Sequence, residues 1–229
     1  MVTNYSENNH LVLVGKVASE KTFSHEIYGE KFYSFNLEVP RLSEISDIIP
    51  VTISERLISE QELELGKKVV VEGQFRSYNG YENEKSRLIL TVFAKEITFK
   101  PDDEELEISK ETVSNEVVLV GYVCKKPIYR QTPFKREIAD VLLAVNRAYN
   151  KSDYIPCIAW GRNARFCQNM SVGTEVKVVG RVQSRGYEKK LEDGTVLNKV
   201  AYEVSVMSLE VLNEEGKPEE EALENKEAI

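Results

Sequence analysis

The stretch NHLVLVGKV at Asn9–Val17 returns as NEVVLVGYV at Asn115–Val123, 106 residues further along the chain. Three more blocks repeat in the same order: residues 37–41 match 143–147, residues 49–50 match 155–156 and, at an offset of 107, residues 66–74 match 173–181. Four blocks in one order are hard to reach by chance. A period this long predicts two tandem copies of one domain rather than a solenoid of short repeats.

Length and composition set the broad class of the chain. Its 229 residues fit two domains of roughly 100 residues, each long enough to enclose a hydrophobic core. No apolar run approaches the roughly 20 residues of a membrane span. The N-terminal MVTNYSENNH lacks the basic and apolar regions of a signal peptide, so a cytoplasmic protein is expected.

The three cysteines are predicted to be ordinary core-filling side chains. Cys124, Cys157 and Cys167 form no CxxC pair, and all three lie in the second repeat. This spacing argues against both a disulfide framework and a zinc site. We therefore expect neither a metal nor a cofactor.

The net charge of −8 is unevenly distributed along the chain. The first repeat (1–99) carries −4, the next segment (100–114) −4, the second repeat (115–212) +5 and the C-terminal segment (213–229) −5. The two short segments are rich in charge and contain no aromatic residue, so they are predicted to be an acidic linker and a disordered acidic tail. Because only the second repeat is basic, the two copies are expected to differ in function.

The apolar pattern of the second repeat predicts five strands and one short helix. The predicted strands are 117–123, 138–147, 154–160, 176–185 and 199–211, and the helix lies within 161–170. Three strands, a helix and two strands favour an all-β chain of two tandem five-stranded OB barrels, each with one short helix. The main alternative, an immunoglobulin-like sandwich, has about seven strands and no helix after the third.

Four segments of the second repeat carry a family resemblance: NEVVLVGYV, LAVNRAY, IAWG and VKVVGRVQSR. In their order and spacing they resemble the bacterial single-stranded DNA-binding protein family, with primosomal replication protein N as a near neighbour. The resemblance covers 115–212 well and 9–99 more weakly. It implies binding of single-stranded DNA with little sequence preference, in replication, repair or recombination, in the bacterial cytosol or nucleoid. Family members work with four OB domains, which implies a homodimer for a tandem chain.

In that family, bases stack on aromatic side chains at the ends of the second and third strands and in the loop after the fourth. Matched residue by residue, these positions hold Tyr149, Tyr154, Trp160 and Tyr187. Three are tyrosines where the family often has tryptophan. For Trp160 an alternative stays open, since the only tryptophan of the chain also suits a barrel core.

Cations for the DNA backbone are expected close to these rings. A period of two along the fourth strand places Lys177, Arg181, Gln183, Arg185 and Tyr187 on one face, opposite Val176, Val178 and Val182. Further basic candidates flank the first long loop, end the second strand or begin the helix: Lys125, Lys126, Arg130, Lys135, Arg136, Arg147, Arg162 and Arg165. Interleaved with aromatic residues, this set favours a nucleic-acid groove.

The first repeat lacks the aromatic set. At the matching positions it has Ser43, Ile48, Ser54 and Gly80. Tyr78 and Tyr81 replace Tyr187 only in part and are expected to contribute little. The first repeat is therefore predicted to be a scaffold or interface domain with weak DNA affinity or none.

Other function classes are less favoured by the residues. His10 and His25 belong to no Ser/His/Asp or HExxH arrangement, and the chain has no GxxxxGK[ST] or GxGxxG motif, so an enzyme is not expected. A primosome-like or regulatory interaction module stays open as the alternative binding function. The acidic tail ends in Glu-Ala-Ile, which is either a reduced docking tip for replication and repair proteins or a solubilising segment. Neither a membrane nor a small-molecule substrate is expected.

Overall fold

The computed structural model describes residues 8–41, 43, 45–58, 63–82, 85–101, 114–190 and 193–212. The first repeat forms β1 (Asn9–Val17), β2 (Thr22–Ile27), β3 (Glu30–Pro40), β4 (Ser46–Ser54), β5 (Lys68–Glu82) and β6 (Lys85–Phe99). The second forms β7 (Asn115–Val123), β8 (Ile128–Gln131), β9 (Glu137–Arg147), β10 (Lys151–Trp160), α1 (Arg162–Cys167), β11 (Glu175–Lys190) and β12 (Val196–Val211). The tail and most of the linker lie outside the described residues, so their predicted character and the domain boundaries stay predictions.

Each repeat closes into a barrel. In the first repeat, β1 pairs with both β5 and β3, β4 pairs with β3, and β6 pairs antiparallel with β5 and parallel with β4. The second repeat has the same pairings among β7, β9, β10, β11 and β12. Inward-facing residues such as Leu11, Phe75, Leu119 and Ile155 are completely buried. The predicted OB barrels are confirmed, because five strands close in the expected order.

Local details differ from the sequence prediction. The first long loop of the second repeat contains a short strand, β8, which pairs with β9 and was not predicted. The β11–β12 hairpin also extends beyond the predicted strands to the pair Lys190–Val196, because a polar ribbon can pair without a hydrophobic face. Gly194 lies near its tip with φ of 85°, a conformation that glycine adopts without strain. In place of α1, the first repeat has a three-residue 3-10 helix, Glu55–Leu57.

The cysteine prediction holds for two of the three residues. Cys157 and Cys167 are buried, and burial raises the pKa of both thiols, that of Cys167 to about 11. Cys124 is half-buried. Across the described ranges, no group of three or more His, Cys, Asp or Glu residues is placed to hold a metal. None of the helices described there is long and apolar enough to cross a membrane.

The two barrels join through β1 and β7, which pair antiparallel with Leu11 opposite Val117. These two residues are counterparts at the offset of 106, so the junction has a local pseudo-twofold axis. Asn9 bonds the N–H and C=O of Phe75 at 2.9 and 2.8 Å, and Asn115 bonds those of Val182 at 2.9 and 2.7 Å. The symmetry therefore extends to buried side chains on both sides of the axis.

Two further contacts link the repeats, and we call them the Asp–Ser latches. The N–H of Ser184 donates to Asp47 at 2.7 Å, and the N–H of Ser77 donates to Asp153 at 2.8 Å. Both aspartates are only 2% exposed. A buried carboxylate needs partners to offset its lost hydration, and each latch draws one of them from the other repeat. The latches therefore tie the barrels together at two equivalent places.

Candidate nucleic-acid interface

The outward face of β10 carries the central part of the predicted site. Burial alternates from Asp153 to Cys157, and Tyr154 (46% exposed), Pro156 and Trp160 (39% exposed) lie on the side away from the core, with Ile158 buried between the last two. Tyr154 and Trp160 are six positions apart along the strand, a span of about 20 Å. We call these three residues the platform. Trp160 is thus a surface residue rather than the core aromatic that the sequence left open.

Tyr149 lies beyond the platform, in the turn between β9 and β10. It is 94% exposed, and both it and Asn150 adopt positive φ, 62° and 53°. A bulky side chain in this left-handed region is uncommon. The turn presents the ring to solvent as an extension of the strand that carries Tyr154.

A groove runs beside the platform in the second repeat. It encloses about 210 Å³ and is lined by Lys125, Lys126 and Pro156, among others. The lysines are exposed, as a contact with a DNA backbone requires. Two carboxylates, Asp140 and Glu203, also line the groove and would repel phosphate. Its local charge is therefore mixed rather than purely basic.

Those carboxylates are paired with two of the predicted DNA-binding arginines. Arg130 donates to Asp140 at 2.8 and 3.1 Å, which raises the pKa of its guanidinium. Arg185 donates to the buried Glu203 at 3.3 and 3.4 Å. Both arginines are about half-exposed, but part of each guanidinium donates hydrogen bonds to a carboxylate of the protein. Lys125 and Lys126 are better placed to contact phosphates.

Other predicted cations lie away from the platform groove. Arg147 is 3.5 Å from Asp153 of a latch, and Arg181 lines a crevice beside the other latch with Arg41 and Asp47. Arg41 donates to Asp47 at 2.6 and 2.7 Å, which raises the pKa of its guanidinium. Arg147 and Arg181 therefore lie at the junction of the repeats.

The remaining basic candidates are dispersed over the surface. Lys177 pairs with Val120 on the outer face of the joined sheets. Arg162 begins α1 and is exposed, while Arg165 in the same helix is 3.4 Å from Glu137. Lys135 and Arg136 are exposed near the β8–β9 turn. The structure thus splits the predicted cation set instead of gathering it in one groove.

Tyr187 lies in a second, larger groove between the repeats. This groove encloses about 480 Å³ and is lined by Tyr78 of β5, by Tyr187 and Tyr202 of the β11–β12 hairpin, and by Pro50 and Pro156. Burial raises the pKa of Tyr202, and the nearby Arg87 acts in the opposite direction. Sequence reasoning missed Tyr202, and it missed that Tyr78 and Tyr187 share a groove, since both depend on how the barrels meet. The side chain of Tyr81 lies outside the described residues.

In the first repeat, the position that corresponds to Trp160 is covered, whereas Ile48, which corresponds to Tyr154, is exposed. Ser54, the counterpart of Trp160, is buried and pairs with Phe32 on the same face. The Phe32 ring lies 4.8 Å from the His25 ring and 5.7 Å from that of Phe93. The Arg76 guanidinium in turn lies 4.0 Å from the centre of the Phe93 ring. These aromatic side chains are occupied by one another and offer little open stacking surface.

The chain was compared with known proteins. Residues 114–212 match the model of the Single-strand binding protein family. Single-stranded DNA-binding protein B of Bacillus subtilis is 37% identical over 86 residues, which are 33% of this chain and 74% of that protein. The first curated relatives, including the single-stranded DNA-binding protein of Clostridium tetani, are matched over only 50% to 59% of their length.

The fold also resembles solved structures. The wild-type single-stranded DNA-binding protein from Thermus aquaticus superposes with a TM-score of 0.70 at 19% identity, covering 90% of this chain and 93% of that one. A dimeric structure of the N-terminal domain of PriB protein from Thermoanaerobacter tencongensis is 56% identical over 42% of this chain and 100% of its own, with a TM-score of 0.37. The Thermus structure shows the same tandem fold.

Proposed function

The chain belongs to the single-strand binding protein family, and on that premise we propose that its second repeat binds single-stranded DNA with little sequence preference. The observation that carries this proposal is the platform, which exposes Tyr154 and Trp160 on one strand beside Lys125 and Lys126. Aromatic faces accept any base, and cations follow the phosphate backbone. Such binding needs no chemistry, so we propose a coating protein for replication, repair or recombination in the bacterial cytosol or nucleoid.

The platform is the feature that favours DNA over the alternative of a protein-interaction module. Exposed rings spaced along one strand suit successive bases, since every base has a flat π face. The neighbouring lysines supply the attraction to phosphate that makes such binding dependent on salt. Tyr149, in the turn beyond Tyr154, would add a further stacking surface at the end of the same strand.

The test is a titration of the full chain with oligo-dT, monitored by the fluorescence of Trp160. Because the chain has a single tryptophan, any quenching reports on the platform itself. We expect strong quenching at low salt that is reversed by added salt. An unchanged signal at low salt, together with no shift of a labelled oligonucleotide, would reject DNA binding and favour the interaction module.

We further propose that two chains assemble into a homodimer. On the outer face of the joined sheets, Val12 and Val14 of β1 lie close to the axis with their counterparts Val118 and Val120 of β7, and all four are partly exposed. A symmetric apolar patch suits an isologous contact with a second copy of itself. Docking of replication or repair proteins by residues 213–229 stays a prediction, because that segment lies outside the described residues.

Sedimentation at several concentrations tests the dimer. The wild-type chain is expected to sediment as a dimer, and Val120→Glu as a monomer with an unchanged circular dichroism spectrum. Ile27→Glu is the control, since Ile27 is an exposed apolar residue on β2, away from this face. A wild-type monomer, or equal dissociation of both variants, would refute the proposed interface.

A further inference from the structure

The groove between the repeats is built from both copies of the domain. Tyr78 lines it from the first repeat and Tyr187 from the second, while Pro50 and its counterpart Pro156 lie on the two sides. We propose that this groove is a second nucleobase site, in which a DNA strand leaving the platform contacts the first repeat through Tyr78. This inference rests on the proposed function and assigns part of the binding to the repeat that the sequence predicts to be a scaffold.

The lining of the groove suits a nucleotide. Three tyrosines and two prolines offer flat or apolar surfaces, and Arg87 is the basic residue among those that line it. No acidic residue is present among the described lining residues, in contrast to the platform groove with Asp140 and Glu203. Its volume of about 480 Å³ lies within the range of ordinary small-molecule pockets, roughly 300–1,000 Å³. Stacking and a nearby cation are the two elements of single-strand recognition.

The groove is also continuous with the platform. Pro156, at the centre of the platform face, lines both the platform groove and the inter-repeat groove. At the Tyr154 end, the N–H of Tyr154 donates to the hydroxyl of Ser77 at 2.7 Å. Ser77 directly precedes Tyr78, so the first repeat meets the platform strand one residue away from the proposed stacking ring. A DNA strand that follows the platform therefore meets the inter-repeat groove at Pro156, which both grooves share.

The latches hold the two walls of the groove in register. Ser77 bonds Asp153, and the matching Ser184 lies three residues before Tyr187. The tyrosines Tyr78 and Tyr187 are thus each anchored close to a buried inter-repeat hydrogen bond. This arrangement presents both rings to one strand as parts of a single surface.

The experiment measures the affinity of the full chain for a fluorescently labelled (dT)20 in four variants beside wild type. Tyr78→Ala is expected to weaken binding about five- to tenfold, toward the lower end of the range for loss of one stacking ring. Tyr78→Phe keeps the ring and should bind within about twofold of wild type. Tyr28→Asn is the matched control, a fully exposed tyrosine of the first repeat at the β2–β3 turn, where asparagine tolerates the positive φ. Trp160→Ala reports on the platform.

The outcomes separate the two proposals. If wild type binds and Trp160→Ala weakens binding while Tyr78→Ala matches Tyr28→Asn, the groove is not a DNA site and the platform stands. If wild type does not bind (dT)20 at low salt, the proposed function itself fails. Photo-crosslinking of an oligonucleotide carrying 5-iododeoxyuridine gives an independent readout: a crosslinked peptide containing Tyr78 supports the groove, and crosslinks confined to the platform refute it. Thermal unfolding of each variant confirms that it is folded.

Discussion

The two repeats share a framework and differ on one face. Both close the same barrel, and each contributes a buried aspartate and a serine to the Asp–Ser latches. On β10, however, Tyr154 and Trp160 are exposed, whereas the same positions of β4 hold Ile48 and the buried Ser54. The comparison shows that the two repeats share the residues of the latches and differ at the positions of the platform, so one face changed while the shared framework was kept.

The largest expected effect tests whether the repeats are equal at their junction. Asp47→Ala and Asp153→Ala should each lower the free energy of unfolding by about 2–4 kcal/mol, because each leaves a buried N–H without its acceptor and an arginine without its partner. Urea denaturation measures both. Asp140→Ala is the control, since it removes an ion pair whose two side chains are both accessible to solvent and should cost less than about 1 kcal/mol. If only one of the two variants lost stability, the two latches would not be equivalent.

The next effect tests whether the repeats are unequal in binding. Tyr154→Ala should weaken oligo-dT binding by about 1–3 kcal/mol, since one stacking ring is lost. Ile48→Ala, at the matching position of the first repeat, should change binding by less than about twofold. Trp160→Ala and Tyr149→Ala are expected to behave like Tyr154→Ala and to stay folded. Fluorescence anisotropy with labelled oligo-dT measures these differences, and equal losses for Tyr154 and Ile48 would end the proposed division of labour.

The salt dependence of DNA affinity tests whether lysines of the second repeat, and not those of the first, contact phosphates. With about four to six phosphate contacts, the slope of log affinity against log salt should be roughly −3 to −4. Lys126→Ala should make that slope shallower by about 0.7, as expected for one lost contact. Lys21→Ala in the first repeat, where the ammonium lies 5.3 Å from the Tyr33 ring centre, should leave it unchanged. A flat response in the wild-type protein would contradict the cationic groove.

The smallest effect concerns the acidity of one latch. Burial raises the pKa of the Asp153 carboxyl, against the opposing influence of the Ser77 N–H and of Arg147 and Arg76. A raised pKa in the folded state means that the folded protein binds the proton more tightly than the unfolded chain. Stability should therefore increase as pH falls through the raised pKa toward the unfolded value of about 3.9. Thermal unfolding of wild type and Asp153→Asn at several pH values should show this increase in stability at low pH only in wild type.

Local patterns were sufficient to predict most of the fold. The apolar alternation around Val117 and Leu143 predicted the strands, and the repeated blocks predicted two barrels. The family resemblance placed Tyr154 and Trp160 at the two ends of the third strand; the structure begins that strand three residues earlier, at Lys151, and shows both rings exposed. These features depend on neighbours within one strand, which a sequence displays directly.

Features that join distant segments were not predictable. The pairing of Arg130 with Asp140 and of Arg185 with Glu203 depends on which strands are adjacent. The latches depend on residues 137 and 76 positions apart that belong to different repeats. The DNA-binding role of each named residue stays a prediction.

The antiparallel pairing of β1 with β7 has a consequence for how the molecule can diversify. A contact of this symmetry is also the form in which two separate identical chains associate, and there every substitution appears on both sides at once. Enclosed within one chain, the contact is held at an effective concentration on the order of millimolar and does not depend on how dilute the protein is. Each repeat can then accept substitutions that the equivalent position of the other repeat does not share. The covalent link thus allows a contact that is symmetric between identical chains to become asymmetric.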